Sequence, residues 1–275
     1  MSDLFGRRYL LTIGDLDVSA LDLTFNVAKS TTREPNTCEV RVYNLSRDHR
    51  AQLARADAPR VVLRAGYEAD GDPPPLLFLG SARRVFAERE ETDIVLTVQA
   101  SDSGRELLTG RISRSYAPGT RATAALADAI DAAGIGRGNF SDFEAAYVAR
   151  NGSAVFADGF VADGPARRVI QALARAARLR WSVQNGALQL MRTGQALQAQ
   201  APQLSAASGL VGTPTRDEHG KVSATVLLQP GLDPGRRVVL VSSEIEGGYE
   251  IRQVVYKGAT AGGEWYATLD LAPLT

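Results

Sequence analysis

Strand-like alternation of apolar and polar residues dominates both ends of this 275-residue chain and constrains its fold more than any other feature. In the first hundred residues, apolar side chains recur at every second position, as in Leu23, Phe25 and Val27. The same period returns after residue 205, where Pro-Gly and Gly-Gly turns between the strands predict an antiparallel meander. A period of two places alternate side chains on one face of a strand, so both ends are predicted to be β-sheet.

Helical patterns appear inside and after the first β-region. A short helix is predicted with Ser46 as its N-cap and Leu53 facing the core. The middle of the chain then changes to helical spacing. Leu126 and Ile130 lie one turn apart in an Ala-rich segment, and Gly134 is placed to end that helix.

A further helix and a hairpin are predicted later in the middle region. The helix has Asp163 as N-cap and Pro165 in its first turn. Its apolar face consists of Val169, Ile170, Leu173 and Ala177. The hairpin follows, because Asn185-Gly186 supplies the positive φ angles of a type I′ turn. Residues 136–162 are rich in Gly, Asn and Asp with scattered aromatic side chains, and they are predicted to form short strands and loops.

The charge balance argues against several classes of function. Thirty-one Lys and Arg residues balance thirty-one Asp and Glu residues, so the net charge is zero. Such a chain has no long-range field that attracts nucleic acid or an anionic membrane as a whole. We expect no specific recognition of a nucleic-acid sequence. We also expect no membrane-spanning segment, because the apolar runs are far below the ~18 residues that a span needs. No secretory signal is expected, because residues 1–8 have no apolar run behind their charges and no small-residue cleavage site.

The sequence offers no cluster of metal ligands, so no metal and no cofactor are expected. The single cysteine, Cys38, lies in a strand pattern and is predicted to be a small buried apolar residue. The two histidines, His49 and His219, are far apart and match no ligand motif; both are predicted to be solvated.

No motif of catalysis is found, and no catalytic residue is predicted. The chain has no G-x-S-x-G elbow, and Gly134–Gly138 fails the spacing of a phosphate-binding loop. Carboxylate pairs such as Glu88 with Glu90, or Glu244 with Glu246, are compatible with glycoside hydrolysis but lie in polar strand-like or turn-rich stretches. We interpret them as solvated faces.

Arginines cluster on one face of the second middle helix. Arg167, Arg168, Arg175 and Arg178 lie opposite its apolar stripe. An ordinary solvated face accounts for this pattern; a contact with another subunit, or along a conduit for a nucleic-acid strand, is the alternative.

Several segments, taken in order, resemble one known family. They are Val27–Ser30, Glu34–Ser46, Leu77–Gly80, Leu210–Pro214, Val226–Gly235, Val238–Ser242, Gly248–Ile251, Val255–Gly258 and Gly263–Tyr266. Together they are similar to the baseplate hub proteins of contractile phage tails and related injection machines, the late control protein D family. The chain departs from that family at Tyr256 and Ala259, where the family often has His and Asp, so no function is assigned to these two positions.

The resemblance implies a fold and a division of the chain. It implies two tail-tube-like β-barrel domains flanking or enclosing a helix-containing middle region, in a mainly β (α+β) chain. The first barrel would occupy residues 1–105 and the α/β middle region residues 106–204, part of which would complete the second barrel. The second barrel or meander would occupy residues 205–275.

The same resemblance implies a structural role and a set of partners. Three copies would form a pseudo-sixfold ring that joins the sixfold tail tube to the threefold spike, without enzymatic activity. The partners would be the two other copies in a homotrimer, the tail tube protein or tube initiator, the spike protein, baseplate wedge proteins, and a tape-measure protein within the ring. The protein would be assembled in the host cytoplasm and would reside in the tail baseplate of the virion.

Two other functions remain as alternatives. One is a tail-associated cell-wall hydrolase, which needs an acid pair in a cleft. The other is a β-sandwich module that binds a receptor or glycan, which needs exposed aromatic side chains on one face. We expect Trp181 and Trp265 to be core or interface residues instead, because both lie beside apolar neighbours.

Overall fold

The computed structural model describes residues 4–103, 105–192, 196–197, 201–218 and 220–274. Strands account for 49% of the residues and helices for 20%. The predicted fold class, mainly β with an α/β insert, is therefore confirmed.

The strands are β1 (Arg7–Ile13), β2 (Leu16–Asp17), β3 (Leu23–Ser30), β4 (Thr37–Tyr43), β5 (Arg60–Tyr67), β6 (Leu76–Glu90), β7 (Asp93–Ser101), β8 (Arg111–Tyr116), β9 (Phe160–Pro165), β10 (Leu179–Gln184), β11 (Ala187–Arg192), β12 (Gln203–Leu204), β13 (Leu210–Arg216), β14 (Val222–Leu227), β15 (Arg237–Val241), β16 (Glu246–Ala259) and β17 (Trp265–Pro273). The α-helices are α1 (Arg47–Arg55), α2 (Arg105–Thr109), α3 (Ala122–Ala132), α4 (Ser141–Asn151) and α5 (Ala166–Ala176). Short 3₁₀ turns occur at Glu68–Asp70 and Ala206–Ser208.

The chain divides into two compact units. Residues 1–30, 36–102 and 196–275 form the first, which we call the sheet unit. Residues 31–35 and 103–195 form the second, which we call the helical unit.

One curled, half-barrel sheet of thirteen strands builds the sheet unit. Its main strand order is β13-β14-β17-β16-β3-β4-β7-β6-β5-β1-β2, and β15 pairs with both β12 and β16. The two β-regions of the sequence meet where β16 pairs antiparallel with β3, for example at Tyr256 opposite Val27. The predicted alternation is present in β3, where Leu23, Phe25 and Val27 are all buried. Residues more than two hundred positions apart thus share one continuous core.

A glycine makes the contact between the two β-regions possible. Gly258 lies opposite Phe25 on one neighbouring strand and opposite Trp265 on the other. The two rings meet edge to face, with their centroids 5.5 Å apart. A Cβ atom at position 258 would lie only 2.2 Å from the Phe25 ring. The aromatic pair therefore covers the space that a side chain would need, a known way of compensating a glycine in a strand.

The C-terminal strands do not form the simple meander that the sequence predicts. β15, β16 and β17 are consecutive neighbours, but β14 pairs with β17 instead of β15. The reason is the connection between β14 and β15, residues 228–236. It contains two Pro-Gly turns and is long enough to carry the chain past the neighbouring strand position.

Local signals are confirmed at the short helix of the sheet unit. α1 begins after Ser46, whose hydroxyl accepts a hydrogen bond from the backbone N–H of His49. Leu53 is the buried residue of this helix, as predicted. A capping residue acts within one turn, so its effect is readable from the sequence.

In the helical unit, helices α3, α4 and α5 share one core with two antiparallel strand pairs, β8–β9 and the hairpin β10–β11. Leu126 and Ile130 are fully buried, as is Ile170 on α5. The hairpin prediction is confirmed, since Asn185 and Gly186 have φ angles of 50° and 78° between the paired Gln184 and Ala187.

Two predictions for this unit are wrong. Asp163 is not an N-cap: β9 continues through Pro165, Asp163 pairs with Ser113, and α5 starts only after the extended Pro165. Residues 136–162 contain a helix, α4, which the sequence analysis assigned to strands and loops. Its aromatic residues Phe143 and Tyr147 are buried one turn apart, so they form an apolar stripe along the helix. The aromatic side chains of this segment are therefore part of a helix and do not indicate strands.

Candidate functional site

An open pocket of about 1040 Å³ in the helical unit is the candidate functional site. Six arginines line it, and the only carboxylate among its described lining residues is that of Glu34. The arginines are Arg33, Arg150, Arg175, Arg178, Arg180 and Arg192. We call this site the arginine pocket.

The ends of α4 and α5 place two of these arginines side by side on the pocket wall. Asn151, the last residue of α4, donates from its side-chain amide to the carbonyl of Tyr147 at 2.9 Å and to that of Ala176 at 3.1 Å. The second bond ties the end of α4 to the end of α5. Arg150 and Arg175 immediately precede the two joined positions. Their placement therefore follows from helix packing.

The turn from α5 into β10 places two more arginines, Arg178 and Arg180, on the pocket wall. Arg178 has a φ of 54°, a left-handed conformation that is uncommon outside glycine, Asn and Asp. Its backbone N–H donates to the carbonyl of Arg175 at 2.9 Å. The chain then enters β10, which contributes Arg180 and Trp181. The tight turn at Arg178 thus directs the chain from α5 into β10, so that residues on both sides of the turn line the pocket.

The inner wall is apolar and rigidly held. Trp181 is 3% exposed, and its indole Nε1 donates to Oε1 of Gln171 on α5 at 3.1 Å. Asn139 fastens the start of α4 to β11, because its amide exchanges two hydrogen bonds with the backbone of Leu190. These bonds fix the segments that carry the arginines.

Three arginines elsewhere in the helical unit have carboxylate partners. Arg121 lies 3.0 Å from Glu144, and Arg137 lies 3.3 Å from Asp131.

A third pair also involves a tyrosine. The Arg114 guanidinium holds the pKa of the Asp128 carboxyl below its usual value by a hydrogen bond. Burial, together with the hydrogen bond to Asp128, raises the pKa of Tyr116 to about 12. These groups neutralise one another.

Most arginines of the pocket differ from these three. Within the described part of the chain, the structure shows no ion pair to five of its arginines: Arg33, Arg150, Arg175, Arg178 and Arg192. A pocket with this excess of guanidinium groups attracts carboxylates or phosphates, since the planar guanidinium donates two parallel hydrogen bonds to either group. The charged side chains of the described lining, six guanidinium groups and one carboxylate, suit the binding of anionic groups.

The residues considered for chemistry in the sequence lie apart from this pocket. Cys38 is buried in the sheet unit, as predicted, and burial raises the pKa of its thiol well above the usual value. His49 is exposed on α1, while His219 lies outside the described residues. Gly134, with a φ of 63°, follows the end of α3, in agreement with its predicted role as a helix stop.

The carboxylate pairs are solvent-facing. Glu88 and Glu90 are exposed on β6, and Glu90 is hydrogen-bonded to Arg41. Glu244 and Glu246 are exposed before and at the start of β16. These positions agree with the interpretation as solvated faces.

Both tryptophans are core residues, as expected. Trp265 is 2% exposed, and Trp181 is equally enclosed. Neither tryptophan therefore presents a face to a glycan. Tyr256, one of the two positions that depart from the family pattern, is fully buried in the sheet unit.

Two of the family-like segments are joined by an ion pair in which the lysine is buried and the Asp233 side chain is 27% exposed. Lys29 is 1% exposed, and its Nζ lies 3.0 Å from Oδ1 of Asp233 in the β14–β15 connection. The resemblance segments that contain these two residues are far apart in sequence. The pair ties the first β-region to the last.

Two searches of the described residues gave negative results. Across residues 4–103, 105–192, 196–197, 201–218 and 220–274, no group of three or more His, Cys, Asp or Glu side chains is placed to hold a metal ion. No helix in the same ranges is both long and apolar enough to cross a bilayer.

Comparison with known proteins gives matches at the level of structure. No protein-family profile and no curated sequence matches the chain. A 43 kDa tail protein of prophage MuSo2 from Shewanella oneidensis superposes with a TM-score of 0.66 at 10% identity over 98% of each chain. A tail protein from Neisseria meningitidis MC58 gives 0.64 at 8% identity, over 97% of this chain and 96% of that one. This chain has a tail-protein fold.

The tail-protein fold extends beyond phages. The E. coli c3393 protein, a component of the type VI secretion system, superposes with a TM-score of 0.55 at 11% identity, over 96% of this chain and 77% of its own. That protein is itself described as similar to tail proteins of bacteriophage T4. At these identities the similarity establishes a shared fold, and the fold includes the helical unit because nearly the whole chain is covered.

The arginine pocket is not predicted as a site from the sequence. The helical pattern places Arg175 and Arg178 on one face of a helix, but it does not indicate the segments that complete the pocket. A compositional signal was present: residues 31–35 and 103–195 contain thirteen arginines and no lysine, against eight acidic residues. This region has a net charge of +5 inside a chain of net charge zero.

Proposed function

We propose that this protein is the structural hub of a contractile tail baseplate. In this role three copies form a pseudo-sixfold ring that joins the sixfold tail tube to the threefold spike. The observation that carries the proposal is the pairing of β16 with β3 inside a tail-protein fold that spans the whole chain. The order of segments that resembles the late control protein D family supports it independently.

The ring follows from the number of β-regions in each copy. The N-terminal and C-terminal β-regions would each supply one tube-like element, so three copies supply six. In this proposal the first element comprises residues 1–105 and the second residues 205–275, completed by part of residues 106–204. Cyclic symmetry lets one heterologous interface close such a ring.

The edges of the sheet suit a side-by-side contact better than strand addition. β13, at one end of the main strand order, carries Pro214 and a register shift between Val211 and Thr215. β2, at the other end, is only two residues long. Both features are known protections against uncontrolled edge-to-edge pairing. Exposed apolar side chains such as Phe5, which is 81% exposed, would instead pack against a neighbouring copy in an apolar interface.

The partners in this proposal follow from the position of a hub. They are the tail tube protein or tube initiator on one side, the spike on the other, wedge proteins around the ring and a tape-measure protein within it. The protein would reside in the virion tail baseplate after assembly in the host cytoplasm. It would act by binding these partners and not as an enzyme.

Light scattering of the purified protein, alone and with its spike, tests the proposal. We expect a particle of three times the 29.4 kDa chain mass for the protein alone, or, on addition of the spike, a complex that contains three copies of the chain together with the spike. Phe5→Ser should weaken that trimer if the exposed apolar surface contributes, whereas Ser115→Ala, a change at an exposed polar position, serves as the control. A particle that stays monomeric with and without the spike would contradict the hub.

A further inference from the structure

We propose that the arginine pocket binds an acidic polypeptide segment of a partner protein. Charge is the first argument. Five of its six arginines have no ion pair within the described residues, and Glu34 is the single acidic residue of the described lining. The pocket therefore holds an excess of positive charge that the helical unit itself does not neutralise.

The shape of the site is the second argument. Its cavity of about 1040 Å³ lies at the upper end of the usual size of ligand sites, roughly 300–1000 Å³, and exceeds what one phosphate or carboxylate ion fills. The guanidinium groups come from the 31–35 loop, α4, α5, the α5–β10 turn and both strands of the hairpin. Charges spread over several walls match a ligand that carries several carboxylates along its length.

The composition of the lining favours polypeptide over nucleic acid. The lining includes the exposed Ala149, a small apolar side chain against which the stem of a peptide side chain can pack. Its aromatic residue, Trp181, is 3% exposed and is held by Gln171, so it offers no face on which a base can stack. Proteins that bind single strands generally combine positive charge with exposed aromatic faces.

Arg178 gives a third, independent argument. Its φ of 54° is a conformation in which glycine is the ordinary choice. An arginine at this position adds positive charge to the pocket wall, although a residue with a Cβ atom is disfavoured at this φ angle. Strained positions of this kind concentrate at functional sites.

Binding of a fluorescent hexaglutamate peptide to the full chain, followed by anisotropy at low salt, tests the inference. We expect saturable binding that weakens as salt is added, because exposed charge pairs are screened. In the double variant Arg175→Ala/Arg178→Ala, affinity should fall about tenfold, the loss expected for two partly exposed ion pairs. Circular dichroism and a thermal melt verify that the variant is folded.

The matched control is Arg167→Ala/Arg168→Ala. These two arginines are exposed on the same helix, so the control removes the same charge, but neither lines the pocket. It should retain nearly full affinity. Equal losses in both double variants would show that binding follows net charge alone, and would overturn the inference. So would the absence of saturable binding, or tighter binding of a hexathymidylate strand that depends on Arg175 and Arg178.

Peptide binding is measured on a single chain and needs no ring. A failure of the trimer to form and a failure of the peptide to bind are therefore separate results.

Discussion

The sheet unit and the helical unit use charge in opposite ways. The sheet unit contains all three lysines of the chain and has a net charge of −5; the helical unit contains only arginines as cations and has a net charge of +5. In the sheet unit, one lysine is enclosed and paired with Asp233. In the helical unit, arginines surround an open pocket. A net charge of zero for the whole chain thus conceals two oppositely charged regions, each of which generates its own local field.

The difference matches the architecture of the units. A continuous sheet buries long rows of residues, so a charge inside it must be paired to be tolerated. Helices joined by turns present their ends to solvent, where arginines can stay hydrated and unpaired at little energetic cost. We expect stability to depend most on the sheet unit and charge-dependent binding to depend most on the helical unit. Four predictions test this division, in order of decreasing effect.

The largest effect is expected at the ion pair of the buried Lys29 with Asp233. Asp233→Ala leaves the ammonium of Lys29 enclosed without its carboxylate, and the free energy of unfolding should fall by about 3 kcal/mol. Chemical denaturation of the variant measures this loss of unfolding free energy. The double variant Lys29→Met/Asp233→Ala should recover most of the loss, because it removes the stranded charge as well.

The control for this prediction is Asp270→Ala in the same unit. Asp270 pairs at 2.7 Å with Lys221, whose side chain is 52% exposed, so water replaces the lost partner. Little change is expected. A similar loss of unfolding free energy in both variants would mean that the burial of Lys29 does not make its ion pair more important than the Lys221–Asp270 pair. That result would contradict the expected difference between the two units.

The second prediction concerns the contact between the two β-regions. Gly258→Ala places a methyl group 2.2 Å from the Phe25 ring, which is packed against Trp265 and cannot withdraw. Overpacking of this kind costs about 1–3 kcal/mol of the unfolding free energy. Gly248→Ala is the matched control on the same strand, because its new Cβ would lie 3.4 Å from the flexible Arg237 side chain. Equal stability of the two variants would argue against a tightly packed contact at Gly258.

The third prediction compares one tyrosine from each unit at high pH. Burial raises the pKa of Tyr67 in the sheet unit and of Tyr116 in the helical unit, each to about 12. A raised folded pKa contributes stability that is complete below the unfolded value of about 10 and is lost as the pH rises through 12. The unfolding free energy should therefore decline over pH 10–12.

Tyr116→Phe separates the contribution of the helical unit. It removes the 2.7 Å hydrogen bond to Asp128 and should cost about 1 kcal/mol at neutral pH while reducing the alkaline decline. Tyr266→Phe, at a residue that is 37% exposed, is the control and should leave the neutral-pH stability unchanged. An undiminished alkaline decline in Tyr116→Phe would assign the whole effect to the sheet unit.

The smallest effect is a gain. Arg178→Gly relieves the left-handed backbone at the α5–β10 turn and should raise the unfolding free energy by about 0.5–1 kcal/mol, while weakening binding of the acidic peptide. Asn185→Gly, at a φ of 50°, should gain less, because Asn tolerates this region. If Arg178→Gly destabilises the protein, the arginine is held there by packing and not for its charge.

Helix α4 and the arginine pocket show where prediction from the sequence stops. The aromatic residues of α4 have the spacing of a helical stripe, but their neighbours Gly, Asn and Asp weaken the pattern, and the core of the helical unit decides the outcome. The pocket combines residues from position 31 to position 192. Each arginine taken singly has the pattern of a solvated surface residue, and only their convergence makes a site.

The sequence by itself determined the features that depend on neighbouring residues. The strand period, the Ser46 cap, the Asn185-Gly186 turn and the burial of Cys38 were all readable, because each follows from interactions within a few positions of the chain. The tertiary structure alone decided that β16 pairs with β3 and that β14 lies beside β17. It also decided which arginines share a pocket. These choices depend on which distant segments fill one core together, and the energy of that packing belongs to the whole chain and to no single segment of it.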